Sequence, residues 1–521
     1  MNAHQIEQLL SSAAYPDPTS RVFMQQTHIS LLFFTDEHVY KVKKPVNLGF
    51  LDFSTLEQRR FYCREELRLN RRLAPDIYLD VVELCEDAAG CLRINGSGTV
   101  VEYAVKMLRM PEERIMARLL EKNAVTPAQI EQLATLVARF HKEADTDERI
   151  AAFGSLEAIR ENWEENLRQT GVFVGRTITE KDHRLIARWV YTSLKAEQEL
   201  FEARVRDGFI RDCDGDLHTE NICLDSSIHI FDCIEFNERF RFSDTAADVA
   251  FLAMDLENHG RRDLAELFVD SYQQHSGDAG LGPVLPLYLA NRAFIRGKVE
   301  SLRLDDPLFS DDEKLAATAR ARRFFRLVRG YALRQNLPCT LFMTCGPSGC
   351  GKSALASELA FQLGIDHVSS DVERKLLAGL SLTERGADIY GTMWNRATYA
   401  RLAELAAAAL HAGKSIVVDA TFIRRADREQ FCRLAKAASS SCVILCPECP
   451  DDLVRQRIET RCRDGNNASD GTVAVYLRQK AAFEMPVPEE GMALFLDATN
   501  TPFDLVDQVV AAPGVLVKME E

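Results

Sequence analysis

No run of about 18 uninterrupted apolar residues occurs in the chain, so no membrane-spanning helix is expected. The opening residues, MNAHQIEQLLSSAAYPDP, also lack a basic segment followed by a long apolar stretch, the pattern of a secretory leader. The reading is a cytoplasmic protein with no membrane partner. Positive charge is in deficit: 63 Lys and Arg face 78 Asp and Glu, a formal net charge of −15. Phosphate backbones and anionic lipid attract basic surfaces, so sequence-independent binding to nucleic acid is not favoured. Internal repeats and low-complexity tracts are missing as well, which excludes solenoids and disordered linkers as the main architecture. The 14 cysteines are scattered and do not form a disulfide framework. Cys446 and Cys449 have CxxC spacing, but no second such pair or His pair lies nearby, so a buried structural role is preferred to a zinc site.

What is present is enough for more than one core. A chain of 521 residues exceeds the roughly 250 to 300 at which single cores stop growing. Hydrophobic residues at 46% and charged residues at 27% are ordinary for globular domains. The pattern changes near residue 335. A helix-like stretch, DDEKLAATARARRFFRLVRGYALRQ, is broken by Asn336-Leu337-Pro338, and the apolar strand TLFMTC follows. Two domains are expected, 1–335 and 336–521.

In the second, strands and helices alternate: TLFMTC, SALASELAFQLG, HVSS, ARLAELAAAALHAG, SIVVDAT, a helix from about residue 426, and SCVILC. Alternation of this kind implies a mainly parallel sheet covered by helices, an α/β fold. Between its first strand and first helix lies GPSGCGKS, Gly346, Pro347, Ser348, Gly349, Cys350, Gly351, Lys352 and Ser353. This is the phosphate-binding P-loop, GxxxxGK[ST], in its proper setting. Its glycines let the backbone wrap a phosphate, Lys352 reaches the β and γ phosphates, and the Ser353 hydroxyl can ligate Mg²⁺. ATP or GTP with Mg²⁺ is the implied cofactor. Asp419, at the tip of SIVVDAT, stands where a carboxylate would support the metal, with a solvated strand end as the plain alternative. Asp371, followed by Arg374 one turn later, could take the proton of an attacking hydroxyl. Arg455, Arg457, Arg461 and Arg463 form an Arg-rich helical run that could close over phosphates or simply face solvent.

The set GPSGCGKS, SSDVER, VVDATFIRRADRE, R-x-R-x3-R, Ser469-Asp470, Gln479 and Phe483-Glu484 resembles the small P-loop kinases of the polynucleotide-kinase and zeta-toxin-like group over about residues 339–500. By that resemblance Asp371 is the acceptor-activating base and Arg461 a lid arginine.

The first domain reads as a small strand-rich part followed by a mainly helical part, an α+β arrangement. Its most informative segment is DGDLHTENICL, then SIHIFDCIEFN. Asp216 and Asn221 have the spacing of a catalytic Asp that receives a hydroxyl proton and an Asn that ligates metal. Asp232 ends the second of two short strands, ICLD and IHIFD, so a hairpin would bring it to the same site. This arrangement resembles the aminoglycoside-phosphotransferase branch of the protein-kinase-like bilobal fold over about residues 25–330, through Gly215 to Asn221. Asp248 matches the aspartate bracing the catalytic loop in that family. A phosphate-contacting lysine should stand on a strand of the small lobe. In HVYKVKKPV, Val39 and Lys41 share one face, so Lys41 is preferred to Lys43, with Glu66 as its partner and Glu65 as the alternate. Two departures are visible: no G-x-G-x-x-G loop, and Asp214 where the family more often has His, an extra carboxylate expected to raise the pKa of Asp216 or repel phosphate.

The resulting expectation is a bifunctional ATP- and Mg-dependent phosphotransferase acting on a hydroxyl of a small molecule. Two alternatives stand: a 5′-hydroxyl nucleic-acid kinase in the second domain, or a pseudokinase joined to a P-loop ATPase acting as a switch. The acceptor, ATP against GTP, and the oligomeric state are not written in these motifs.

Overall fold

The computed structural model describes residues 1–307, 309–381, 384, 387–464 and 471–517. Its backbone contacts divide the chain into two compact units, Met1–Val328 and Arg329–Glu521. Among the described residues, no helix is long and apolar enough to cross a membrane.

The first unit opens with a six-stranded antiparallel sheet ordered β1-β2-β3-β6-β4-β5. Its strands are β1 Phe23–Gln26, β2 Ser30–Phe34, β3 His38–Lys43, β4 Tyr78–Glu86, β5 Leu92–Ile94 and β6 Thr99–Leu108. Alternation decides which side each residue takes. Phe33, Tyr40, Val42 and Ala104 pack one face, so Val39, Lys41 and Lys43 take the other. Helix α1, Leu56–Asn70, covers that second face. Its start is fixed by a capping box in which Thr55 and Gln58 satisfy each other's free backbone N–H. Cys63, Glu66, Leu69 and Asn70 recur at three- and four-residue spacing and form its buried stripe. An acid in that stripe needs a cationic partner, and the strand lysines supply it.

The helical part contains α2 Pro127–Glu143, α3 Leu156–Thr170, α4 Thr245–Asn258, α5 Arg262–Ser276 and α6 Leu281–Leu302. Helix α4 is buried on nearly every side, as its run of small and apolar residues requires, and packs between α5 and α6. Two strand pairs accompany the helices: β7 Ile210–Asp212 with β10 Phe242–Asp244, and the hairpin β8 Ile222–Leu224 with β9 Ile228–Ile230.

In the second unit a five-stranded parallel sheet has the order β12-β13-β11-β14-β15. These strands are β11 Thr340–Thr344, β12 Asp366–Ser369, β13 Ile416–Asp419, β14 Ser441–Glu448 and β15 Met492–Asp497. The chain runs from β11 out to β12, returns through β13, and then crosses to β14 on the opposite side. Strand order therefore reverses at β11, and ligands of such sheets bind in the crevice beyond the carboxyl end of that strand. The near-continuous apolar core, with Leu341, Met343, Ile416, Val418 and Ile444 fully buried, is what a sheet covered on both faces demands. Strand β15 has no counterpart in the sequence reading. It lies at the sheet edge and is largely half-exposed, so its burial has no clean two-residue alternation. Cys446 is buried within β14, and Cys449 lies just past its end. Neither belongs to a group with metal-ligand geometry among the described residues.

Candidate active sites

The loop after β7 carries the sequence DGDLHTEN. At Gly215 the chain takes φ +88°, and a Cβ there would stand 2.8 Å from the Phe240 carbonyl oxygen, so only glycine fits without a shift. Two acids from α4 hold the loop. The Asp248 carboxylate accepts from the backbone N–H of Asp214 at 2.7 Å and of Gly215 at 3.0 Å. Asp255, two turns on and on the same helix face, accepts from the Thr219 N–H at 3.0 Å and hydroxyl at 2.6 Å. His141 of α2 stands 3.3 Å from Asp248.

In this frame Asn221 donates through Nδ2 to the Asp216 carboxylate at 3.0 Å and to its carbonyl at 3.1 Å. The β8–β9 hairpin returns the chain to Asp232, at φ +65°, which lines the same cavity as Asp216. Lys41 is the link between the two parts of the unit. Its Nζ lies 2.8 Å from Glu66 Oε1 and donates to Asp232 Oδ1. Asp216, Asp232, Lys41 and Val39 line one cavity.

The electrostatics follow from burial and pairing. Burial works to raise the pKa of Glu66, but Lys41 and Lys43 outweigh it and bring it down to about 2. Burial would lower that of Lys41, and the charges of Asp232 and Glu66 instead hold it well above the ordinary lysine value. For Asp216, burial raises the pKa, but His218 at 3.3 Å and the guanidinium groups of Arg296 and Arg292 leave it below the usual carboxylate range. Asp216 is thus an anion able to accept a hydrogen bond from a hydroxyl.

The expectation for Asp214 needs correcting. It was expected to raise the pKa of Asp216 or repel phosphate. Instead Asp214 is itself buried, and burial together with the charge of Asp248 pushes its own carboxyl up to about 8. It accepts from the Asp216 backbone N–H at 3.1 Å. Asp214 also stands outside the cavity lining, whereas Asp216 is within it.

Lys43 and Lys41 both reach Glu66. Lys43 lies deeper, with Nζ 2.7 Å from Glu66 Oε2 and a second bond to Glu235. Glu65 points outward to Arg68 at 2.8 Å. Sequence reasoning missed Glu235, Asp255 and His218. His218 sits inside the quoted GDLH string, so a signal existed; Glu235 gains meaning only by meeting Lys43 far away in the chain.

In the second unit the P-loop leaves the central strand β11 and ends in helix α7, Lys352–Leu363. Gly349 and Gly351 take φ +88° and +95°. A Cβ on Gly349 would meet Val454 and Ile458 at 2.8 to 3.0 Å, because helix Asp451–Asp464 packs directly on the loop. Cys350 is buried in that contact with Val454, Ile458 and Tyr476. Lys352 is buried, and its Nζ donates to the Pro347 carbonyl at 2.7 Å. No carboxylate lies within 4 Å of it among the described residues, and burial lowers its pKa. Ser353 stands exposed in the first helical turn. Asp419 is buried at the end of β13, where its Oδ1 accepts from the Thr344 hydroxyl at 3.1 Å.

Asp371 accepts from Arg374 at 3.0 Å, and Arg374 also reaches Asn395 and stacks on Tyr390. Gln479 accepts from the Ser348 N–H at 2.8 Å, Arg461 donates to the Gly471 carbonyl at 2.7 Å, and Arg457 reaches the Ala498 carbonyl. Arg455 and Arg463 face solvent. Ser469 and Asp470 lie outside the described residues.

These residues fit a nucleotide with a divalent metal ion in both units. A buried ammonium with only a carbonyl partner suits phosphate at Lys352, backed by the glycine cradle, and Asp419 and Ser353 carry hard oxygen donors of the kind a divalent cation takes. In the first unit Asn221 and Asp232 offer the same kind of donors.

A family model described as an AAA domain matches residues 341–486. Among solved structures, amicoumacin kinase hAmiN in complex with AMP-PNP, Ca²⁺ and Ami is 14% identical, spans 62% of this chain and 93% of that one, and superposes with a TM-score of 0.38. A choline/ethanolamine kinase family protein from Mesorhizobium loti is 12% identical over 63% of this chain and 98% of that one, with a TM-score of 0.36. The chain joins a unit built on a six-stranded antiparallel sheet and helices to a unit that carries the P-loop on a parallel sheet. Aligned over 465 residues at 30% identity, 88% of this chain and 90% of the other, it belongs to the same family as the uncharacterized protein Rv2004c of Mycobacterium tuberculosis.

Proposed function

We propose that the chain transfers the γ-phosphoryl group of ATP to a hydroxyl of a small molecule, using Mg²⁺, at two separate sites divided near residue 335. The observation that carries this reading is Lys41, held between Glu66 and Asp232 and facing the cavity that Asp216 lines. That constellation supplies a phosphate clamp, a metal ligand and a base within one cavity.

At the first site Asp216 accepts the acceptor's hydroxyl proton as the oxygen–phosphorus bond forms and the bond to the departing ADP breaks. Asn221 keeps the Asp216 carboxylate oriented. Asn221 and Asp232 would hold Mg²⁺, which neutralises charge developing on the transferring group. Lys41 positions the phosphates, and Glu66 fixes Lys41. At the second site the P-loop amides of Gly346 to Ser353 and Lys352 cradle the phosphates, Ser353 and Asp419 would support the metal, Asp371 would act on the acceptor hydroxyl, and Arg461 would close the site.

The test is acceptor-dependent ADP release by the full chain, by Asp216→Ala and by Lys352→Ala, across sugars, nucleosides, aminoglycosides and 5′-hydroxyl oligonucleotides. Loss of a distinct acceptor activity in each variant supports two sites. Full retention of every activity in Asp216→Ala would remove the first unit from the reaction.

A further inference from the structure

We infer that the acceptor of the first unit is a polyhydroxylated small molecule bearing a carboxylate or phosphate monoester, and that this anion is met by Lys298. The inference rests on the phosphotransfer reading of that site. The cavity lined by Asp216 has a volume of about 2590 Å³. Ligand pockets usually measure about 300 to 1,000 Å³, so there is room for an acceptor beside a nucleotide.

Away from Lys41, one wall of the cavity is built by α3 and α6. Asn162, Asn166 and Gln169 follow at helical spacing on one face of α3, opposite Asn291 and Lys298 of α6. Asn166 donates to Asn162 Oδ1 at 2.9 Å, and Asn291 approaches the same oxygen at 3.4 Å. Lys298 Nζ donates to Asn166 Oδ1 at 2.6 Å and Gln169 Oε1 at 2.8 Å.

An ammonium has three donors, and these two bonds to neutral amides leave one. No carboxylate lies within 4 Å of Lys298 among the described residues. The neighbouring cations differ: Arg239, Arg292, Arg296 and Arg303 are each within 4 Å of an acid, Glu165, Asp248, Glu220 and Glu300 respectively. Burial lowers the pKa of Lys298, and the charge of Glu165, which is not within 4 Å of it, offsets that only in part. A ligand anion supplies the missing charge through a charge-assisted bond. The amide ladder retains donors and acceptors suited to hydroxyls. Of the acids on this wall, Glu165 is paired with Arg239 and Asp244 with Arg204, which leaves the exposed Glu161 as the carboxylate a cationic acceptor would meet there.

The experiment is calorimetric binding to the full chain with Mg²⁺ and AMP-PNP, comparing gluconate, glucose 6-phosphate, sorbitol and kanamycin, in intact protein and in Lys298→Gln. Glutamine keeps a polar group but removes the charge. The expected result is that gluconate or glucose 6-phosphate binds roughly 10- to 100-fold more tightly than sorbitol, and that Lys298→Gln erases this difference. Which anion binds identifies carboxylate or phosphate as the group recognised. The inference is overturned if sorbitol or kanamycin binds more tightly, if neither anion binds, or if the preference survives Lys298→Gln. Binding is read without turnover, so its failure is separate from failure of the phosphotransfer reading, which Asp216→Ala tests.

Discussion

Lys41 in the first unit and Lys352 in the second are both buried ammonium groups facing a proposed phosphate site, yet their surroundings differ. Lys41 is held between two carboxylates, and its pKa is raised; Lys352 is bonded to a carbonyl of its own loop, and its pKa is lowered. The first site is charge-compensated before any ligand arrives. The second leaves its cation to be compensated by the ligand. Preorganisation at the first is built from residues far apart in the chain, so removing one member exposes the others. At the second it is built from backbone wrapping within eight residues, Gly346 to Ser353, and a single side chain can be changed with less structural consequence.

The largest expected effect concerns turnover. Replacing Asp216 by Asn should lower acceptor-dependent phosphorylation at the first site by about 10²- to 10⁴-fold while leaving the second intact. Lys352→Met should do the converse, as measured by ADP release with each site's own acceptor. If either substitution silences both activities, the two sites are not independent and the comparison fails.

A smaller effect separates the two lysines by stability. Lys41→Met leaves Glu66 and Asp232 without one partner, and breaking a buried ion pair costs about 3 to 5 kcal/mol. Partial exposure of Asp232 and the remaining Lys43 bond place the expected loss at or below the lower end of that range. Lys352→Met strands no acid and should be neutral or stabilising without nucleotide. Urea unfolding followed by hydrogen exchange in each unit checks this, and equal destabilisation by both would break the contrast.

Acid should distinguish the units next. The pKa of Glu66 is depressed from 4.5 to about 2, so its contribution is fully present above about 4.5 and is lost as pH falls through 2. The first unit is expected to lose stability in that window, and Glu66→Gln should flatten the slope. Thermal unfolding across pH reads this directly.

The remaining effect has the opposite sign. The carboxyl of Asp214 is raised from 3.8 to about 8, so the folded chain retains a proton that the unfolded chain gives up, and stability falls as pH rises between those values. Asp214→Asn should remove that decline and leave the first unit more stable at pH 8 than the unsubstituted chain. An unchanged pH profile would show that Asp214 is ionised in the folded chain.

Much of both units was legible in advance because it is local. The alternation of strand and helix after residue 339, the P-loop, and the Asp216, Asn221 and Asp232 spacing all lie in short contiguous segments. The facing of Val39, Lys41 and Lys43 follows from the two-residue period of a strand. Strand β15 was not legible, because an edge strand is only half covered and its pattern is weak. Nor was the choice between Lys41 and Lys43 as partner of Glu66, since one carboxylate has two oxygens and the fold gives one to each lysine.

By itself, the sequence determined which backbone shapes form and which donor groups each loop carries, since spacing and glycine placement act over a few residues. Tertiary structure alone decided the charges. It buried Asp214 beside Asp248 and raised its pKa, set Glu235 against Lys43 across 192 positions, and left Lys298 among amides 132 and 129 positions away. Ionisation depends on desolvation and on partners brought from elsewhere in the chain, and neither is fixed until the units have packed.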